Sequence, residues 1–233
     1  MEDSSGALKR LLIADDHDLV RRGLRGLLRR EPDLEIVGEA RDGREAVELG
    51  LSLVPDLILM DVRMPGMDGL EATREIKARR PEIGILMVTM HDDPDYMLEA
   101  IKSGAAGYVL KDASWEDLTS SVRRALSGDF PMDPDVAARL LQRLARETPQ
   151  RSEATQTGAV PAGRLSEPLT PRELEVLQRL TLGRTNSAIA QDLTISVGTA
   201  KSHVQRVIQK LGVSDRTQAA VRAVELRLVR TAS

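Results

Sequence analysis

Five polar residues stand where apolar runs stop. Leu11-Leu12-Ile13-Ala14 runs into Asp15-Asp16, Leu57-Ile58-Leu59-Met60 into Asp61, Ile85-Leu86-Met87-Val88 into Thr89, and Tyr108-Val109-Leu110 into Lys111. Three carboxylates, one hydroxyl and one ammonium suit a divalent cation and a phosphoryl group. Mg2+ prefers oxygen ligands and is usually held by one or two carboxylates plus a phosphate. Crowded carboxylates repel one another and favour a cation, which then screens an incoming phosphoryl group. A carboxylate can itself accept that group as an aspartyl phosphate. Thr89 can donate a hydrogen bond to it, and Lys111 supplies a compact positive charge.

These residues meet only if the runs are neighbours in one sheet. Short continuous apolar runs with helical stretches between them predict the buried strands of a parallel α/β sheet. Strands are expected near 8–14, 35–39, 57–61, 83–89 and 106–111, and helices near 17–30, 43–52, 68–79, 94–103 and 114–127. Asp42-Gly43 precedes the second helix, and Ser114 with Asp117 makes a capping box for the fifth. Gly104 and Gly128 fall just past the fourth and fifth helices, where a left-handed residue is wanted. The alternation predicts a doubly wound α/β domain, in which ligands bind beyond the carboxyl ends of the strands at the switch point.

Bulk properties narrow the class. With 233 residues, 41 % hydrophobic and 30 % charged, the chain reads as one or two globular domains. Cysteine is absent, which excludes disulfides and thiolate metal sites. No apolar run approaches the roughly 20 residues that cross a membrane. Met1 to Gly6 is acidic and small, unlike a signal peptide, so a cytoplasmic protein with no membrane partner is expected. The net charge of −3 hides an asymmetry. Ten basic and five acidic residues between Pro168 and Arg230 give that stretch +5, leaving −8 on the rest. Only the tail is suited to a polyanion.

After Phe130 the texture changes. Val136, Leu140, Leu141 and Leu144 predict a connecting helix near 134–147, and Thr148 to Gly163 reads as a flexible linker. Thr170-Pro171-Arg172-Glu173 is a capping box with proline at the first helical position. It opens a helix; a second runs from Asn186 to Leu193 with Thr185 as cap. A turn through Thr194-Ile195-Ser196 leads to a third, about 197–210, ended by Gly212, and a fourth runs about 216–228. Two helices joined by a tight turn in a small basic all-α module are the helix-turn-helix pattern. On the third helix Ala200, Val204, Val207 and Leu211 form a core stripe, while Lys201, Ser202, Gln205 and Gln209 face away. Lysine suits guanine and glutamine suits adenine; Thr199, Arg206 and Lys210 nearer the flanks suit phosphates. The last helix has two apolar stripes: Ala219, Ala223 and Leu226, and Ala220, Val221, Val224 and Leu228. One stripe can pack on the domain and the other on a twin.

Asp15-Asp16, Asp61-x-x-Met64-Pro65-Gly66-Met67-Asp68-Gly69, Thr89 and Lys111 resemble the receiver domain of two-component response regulators over about residues 8–130. The stretch from Leu169 to Ala219 is similar to the LuxR-type helix-turn-helix, within a DNA-binding domain of about 168–230. Together they resemble the NarL/FixJ family. The resemblance implies a flavodoxin-like receiver of five parallel strands in the order 2-1-3-4-5, followed by a linker over 131–167 and a small all-α domain. It makes Asp61 the phosphoacceptor, Asp15 and Asp16 the acidic Mg2+ pair, the Arg63 carbonyl a further metal ligand, and Thr89 and Lys111 the phosphoryl-binding switch residues. Tyr108 matches the aromatic that swings inward with the threonine. Lys201, Ser202 and Gln205 would face bases, and the last helix would join two copies. The implied function is transcription control by phosphoryl transfer from a sensor histidine kinase, acting through homodimers on double-stranded DNA. His17 is expected to be a surface or capping residue. Arg63 and His91 are expected to influence phosphate lifetime. Two alternatives stay open: a phosphorylation-independent DNA-binding regulator, and an aspartate-based phosphatase. The phosphatase would want an acid two residues beyond its nucleophile, where this chain has Arg63.

Overall fold

The computed structural model describes residues 8–90, 94–129, 167–226 and 228–229. The chain divides into two compact units, Met1–Met132 and Asp133–Ser233. The connecting helix expected near 134–147, the linker and His91 lie outside the described residues.

The first unit alternates β1 (Lys9–Ala14), α1 (Asp18–Leu28), β2 (Leu34–Ala40), α2 (Gly43–Leu53), β3 (Leu57–Met60), α3 (Gly69–Arg79), β4 (Gly84–Thr89), α4 (Pro94–Ser103), β5 (Gly107–Leu110) and α5 (Trp115–Leu126). All strand pairs are parallel, in the order β2-β1-β3-β4-β5. Leu11, Ile13, Leu57, Leu59, Leu86 and Val88 share one core with Leu24 and Leu28 of α1 and Leu118 and Val122 of α5. Leu12, Ile58, Met60, Ile85 and Met87 alternate with them, so they point to the other face of the sheet, and they too are fully buried. Both faces are covered, which is why the strands read as unbroken apolar runs.

Caps set the helix starts. Asp42 accepts from the Glu45 amide, and Asp68 with Glu71 forms a full capping box. Ser114 accepts from the Asp117 amide, but the Asp117 carboxylate accepts from the Ser114 hydroxyl at 2.7 Å, so that box is only half formed. Gly104 and Gly128 take positive φ, as their places past α4 and α5 demand.

The second unit has four described helices, α6 (Pro171–Thr181), α7 (Asn186–Leu193), α8 (Val197–Leu211) and α9 (Arg216–Glu225). Val176, Leu177 and Leu180 of α6, Ile189 and Leu193 of α7, Ala200, Val204, Val207 and Leu211 of α8, and Ala219 and Ala223 of α9 form one core. The Thr170–Glu173 capping box and the Thr185 cap are present, and Gly212 ends α8 with φ 65°. Thr194 makes the turn between α7 and α8 with φ 55°. The last helix stops at Glu225, short of the expected 228. Both of its stripes are covered: Ala220, Val221 and Val224 are buried like Ala219 and Ala223, and Leu228 is partly buried against the domain core. The second stripe, which could pack on a twin or within one copy, is buried in this structure. Among the described residues no helix is long and apolar enough to cross a membrane.

Candidate functional site

Strand register gathers the polar residues at one rim. Ala14 pairs with Met60, so Asp15 and Asp61 follow at the same level. The Asp61 amide donates to the Ala14 carbonyl at 2.8 Å. Thr89 pairs with Leu110, and the Lys111 amide donates to the Thr89 carbonyl at 2.8 Å. The chain reverses its winding between β1 and β3, so this rim is the topological switch point.

Lys111 Nζ lies 2.6 Å from Asp15 Oδ2 and 2.8 Å from Asp61 Oδ2. All three side chains are almost wholly buried. Burial pushes the Asp61 carboxyl above its ordinary pKa, and the neighbouring Asp15 charge adds to this; Lys111 offsets only part of it. Burial also works against the charge on Lys111. Its bonds to Asp15 and Asp61 outweigh that and hold its pKa above the usual lysine value. Asp16 is more open, with its side chain 29 % exposed. One ligand atom from each of Asp15, Asp16, His17 and Asp61 can be chosen within 4.8 Å of one another. Hard carboxylate oxygens at that spacing fit a divalent cation, and an excess of buried negative charge favours one.

Thr89 and Tyr108 are buried. The loop after Asp61 folds back tightly, with the Gly69 amide donating to the Val62 carbonyl at 2.9 Å. A Cβ on Gly69 would stand 1.9 Å from the Asp61 carbonyl oxygen, so only glycine fits there. Arg63 sends its side chain away to α4: its guanidinium stacks 5.2 Å from the Tyr96 ring centroid and donates to the Tyr96 hydroxyl at 2.5 Å. Tyr96 was not singled out in the sequence, because no local signal ties α4 to residue 63. His17 occupies the N-cap position of α1 without a capping side-chain bond. Its Nδ1 instead lies 2.7 Å from Asp16 Oδ1, a pairing that plain capping logic misses.

In the second unit Thr199, Lys201, Ser202, Gln205, Arg206 and Gln209 are exposed on α8, opposite its buried stripe. The helix carries no acidic residue, and its N-terminal Val197 is also exposed. The Ser202 hydroxyl donates back to the Gly198 carbonyl at 3.0 Å, and the Thr199 hydroxyl pairs with Ser196 at 2.8 Å. Lys210, expected on a flank where phosphates bind, is engaged within its own domain. It donates to Glu173 Oε2 at 2.9 Å and to the Pro168 carbonyl at 3.2 Å, tying α8 to the start of α6. Sequence spacing places Lys210 on a flank of the helix but does not show that the buried Glu173 lies across from it.

Comparison with known proteins agrees with this geometry. Residues 11–123 match the response regulator receiver domain family, and residues 167–223 match the family of bacterial regulatory proteins of luxR type. The chain is 40 % identical over 220 residues to the transcriptional regulatory protein LiaR of Bacillus subtilis, covering 94 % of this chain and 99 % of LiaR. It is 39 % identical to the transcriptional regulatory protein DegU of Brevibacillus brevis, covering 92 % of each. A crystal structure of a LuxR-family two-component response regulator from Aurantimonas sp. superposes with a TM-score of 0.54 at 36 % identity, covering 59 % of this chain and 98 % of that one. An acidic pocket at the switch point of a five-stranded parallel sheet, joined in one chain to a basic helix-turn-helix, thus places the protein in the NarL/FixJ family of response regulators, transcriptional regulators with a receiver and a LuxR-type DNA-binding domain.

Proposed function

We propose that Asp61 is the phosphoacceptor and that a sensor histidine kinase supplies the phosphoryl group. The observation that carries this reading is the Asp15–Lys111–Asp61 cluster at the switch point. An Asp61 carboxylate oxygen forms the new P–O bond as the P–N bond to the kinase histidine breaks. Asp15, Asp16, Asp61 and the Arg63 carbonyl would hold Mg2+, which when bound screens the phosphoryl oxygens. Lys111 keeps its charge beside the acceptor throughout and offsets the negative charge that arrives. The Thr89 hydroxyl donates to the phosphoryl group, Tyr108 follows it inward, and the face built by α4 and α5 changes.

The response is read on DNA by a domain of about 168–230, joined to a receiver of about 8–130 through a linker over 131–167. Lys201, Ser202 and Gln205 face base edges, and Thr199 and Arg206 meet phosphates. Phosphorylation promotes homodimers that bind two half-sites. Ala220, Val221 and Val224 are buried, so pairing through them requires that they first be uncovered. The protein works in the cytoplasm, where the kinase phosphoryl donor and DNA are both at hand.

The test is labelling with a small phosphodonor and Mg2+, read by phosphate-affinity electrophoresis. Wild type is expected to shift and Asp61→Asn to stay unshifted. Labelling that survives Asp61→Asn would overturn the site. Full DNA binding and gene control by Asp61→Asn would favour a phosphorylation-independent regulator.

A further inference from the structure

The outer face of α8 begins with a patch that has little hydrogen-bonding reach. Gly198, Ser202, Gln205 and Gln209 follow the helical repeat along that face, and Val197 stands at its edge, one turn before Lys201. Val197 is 51 % exposed, the most exposed large apolar side chain among the described residues of its domain. Gly198 keeps an ordinary helical backbone, without the positive φ that calls for glycine. A Cβ built on it would meet nothing closer than Ser196 Oγ at 3.8 Å, so packing does not call for glycine either. Glycine weakens a helix relative to alanine. What it leaves here is a notch, where a ligand can come close to the backbone. The hydroxyls around the notch are engaged locally. Ser202 donates to the Gly198 carbonyl at 3.0 Å, and Ser196 and Thr199 pair with each other at 2.8 Å. Carbon therefore dominates this end of the face, while Lys201, Gln205 and Gln209 carry polar heads further along.

We propose that Val197 and the Gly198 notch read a thymine C5-methyl group in the major groove. This rests on the reading of α8 as the base-contacting helix, and adds to it a residue and the base feature it recognises. Thymine presents one acceptor and a methyl group in the major groove, and the methyl is recognised by apolar contact. The N-terminal residues of a recognition helix are the ones that reach base edges. Val197 gives the methyl a branched carbon wall, and Gly198 gives it room. Guanine, adenine or cytosine at the same place would set polar edge atoms against carbon and strip their water without a partner.

The experiment uses the full chain, both with and without a small phosphodonor and Mg2+. Selection from random-sequence duplex DNA yields the preferred site. Each thymine in it is then replaced by deoxyuridine, which pairs alike but lacks the methyl. In fluorescence anisotropy at fixed salt, replacing one thymine in each half-site is expected to weaken wild-type binding by about fourfold per half-site, as for one methyl group left unburied. In Val197→Ala the same replacement is expected to cost less than about twofold. Gly198→Ala is expected to raise the melting temperature by about 2–5 °C and yet to bind the selected site several-fold more weakly. A methyl penalty that Val197→Ala leaves unchanged, or a site in which no thymine methyl matters, would overturn the Val197 assignment alone. Gly198→Ala that binds as tightly as wild type would overturn the notch. Selection that returns no preferred sequence in either condition would overturn the base-reading role of α8 and this proposal with it.

Discussion

Replacing Lys210 by methionine separates a structural lysine from a DNA-contacting one. Glu173 is 3 % exposed and accepts from Lys210 Nζ at 2.9 Å. Removing one partner of a buried ion pair costs about 3–5 kcal/mol, because the remaining charge is stranded. Two features reduce the cost here. The Lys210 side chain is 18 % exposed, and Glu173 keeps the hydrogen bond from the Thr170 amide at 2.8 Å. A loss of about 2–3 kcal/mol is expected for Lys210→Met, which in a domain this small lowers its melting temperature by about 10–20 °C. Calorimetry of the full chain resolves that transition. The pH dependence follows from Glu173. Burial pushes its carboxyl up, but the bonds from Thr170 and Lys210 outweigh this and hold it below the ordinary value of 4.5. A depressed folded pKa stabilises fully above the unfolded value, and that stability is lost as pH falls through the folded value. The gap between wild type and Lys210→Met therefore narrows below pH 4.5. An unchanged melting temperature, with uniformly weaker DNA binding and a salt slope reduced by about one, would refute the reasoning.

Lys111→Met leaves Asp15 and Asp61 facing each other without their shared ammonium. It is expected to cost about 2–4 kcal/mol at pH 7.5. The loss should shrink as pH falls and Asp61 takes up a proton, and should also shrink with added Mg2+; thermal melts across pH and metal concentration read both. Gly69→Ala drives a methyl against the Asp61 carbonyl and is expected to cost about 3 kcal/mol and to abolish phosphodonor labelling. Lys201→Ala is expected to lose about 1–3 kcal/mol of discrimination between operator and random DNA, whereas Arg206→Ala weakens both alike. Fluorescence anisotropy over a salt series distinguishes the two patterns.

Much of this protein was legible before any coordinates. Continuous apolar runs mark strands covered on both faces, and caps such as Asp42, Thr170 and Thr185 mark helix starts, because these signals act over a few neighbouring residues. The polar residue after each run marks the rim, since a sheet that buries its strands leaves their ends for chemistry. Features spanning elements were not legible. Arg63 turning to Tyr96 and Lys210 turning to Glu173 join residues 33 and 37 positions apart. No periodicity records such a pairing. What covers the stripe of Ala220, Val221 and Val224 stayed open likewise, because a helix with two apolar faces does not say what covers either one.

Sequence alone determined the types of group available, the order of elements, and the division into an acidic α/β front and a basic helical tail. Tertiary structure decided which charges neutralise one another. Parallel register puts Lys111 between Asp15 and Asp61, and the packing of α8 on α6 brings Lys210 to Glu173. The physical reason is distance. Capping and hydrophobic periodicity act within a turn or two of chain, whereas an ion pair forms only where folding brings distant residues within a few ångströms and excludes the water that would otherwise screen them.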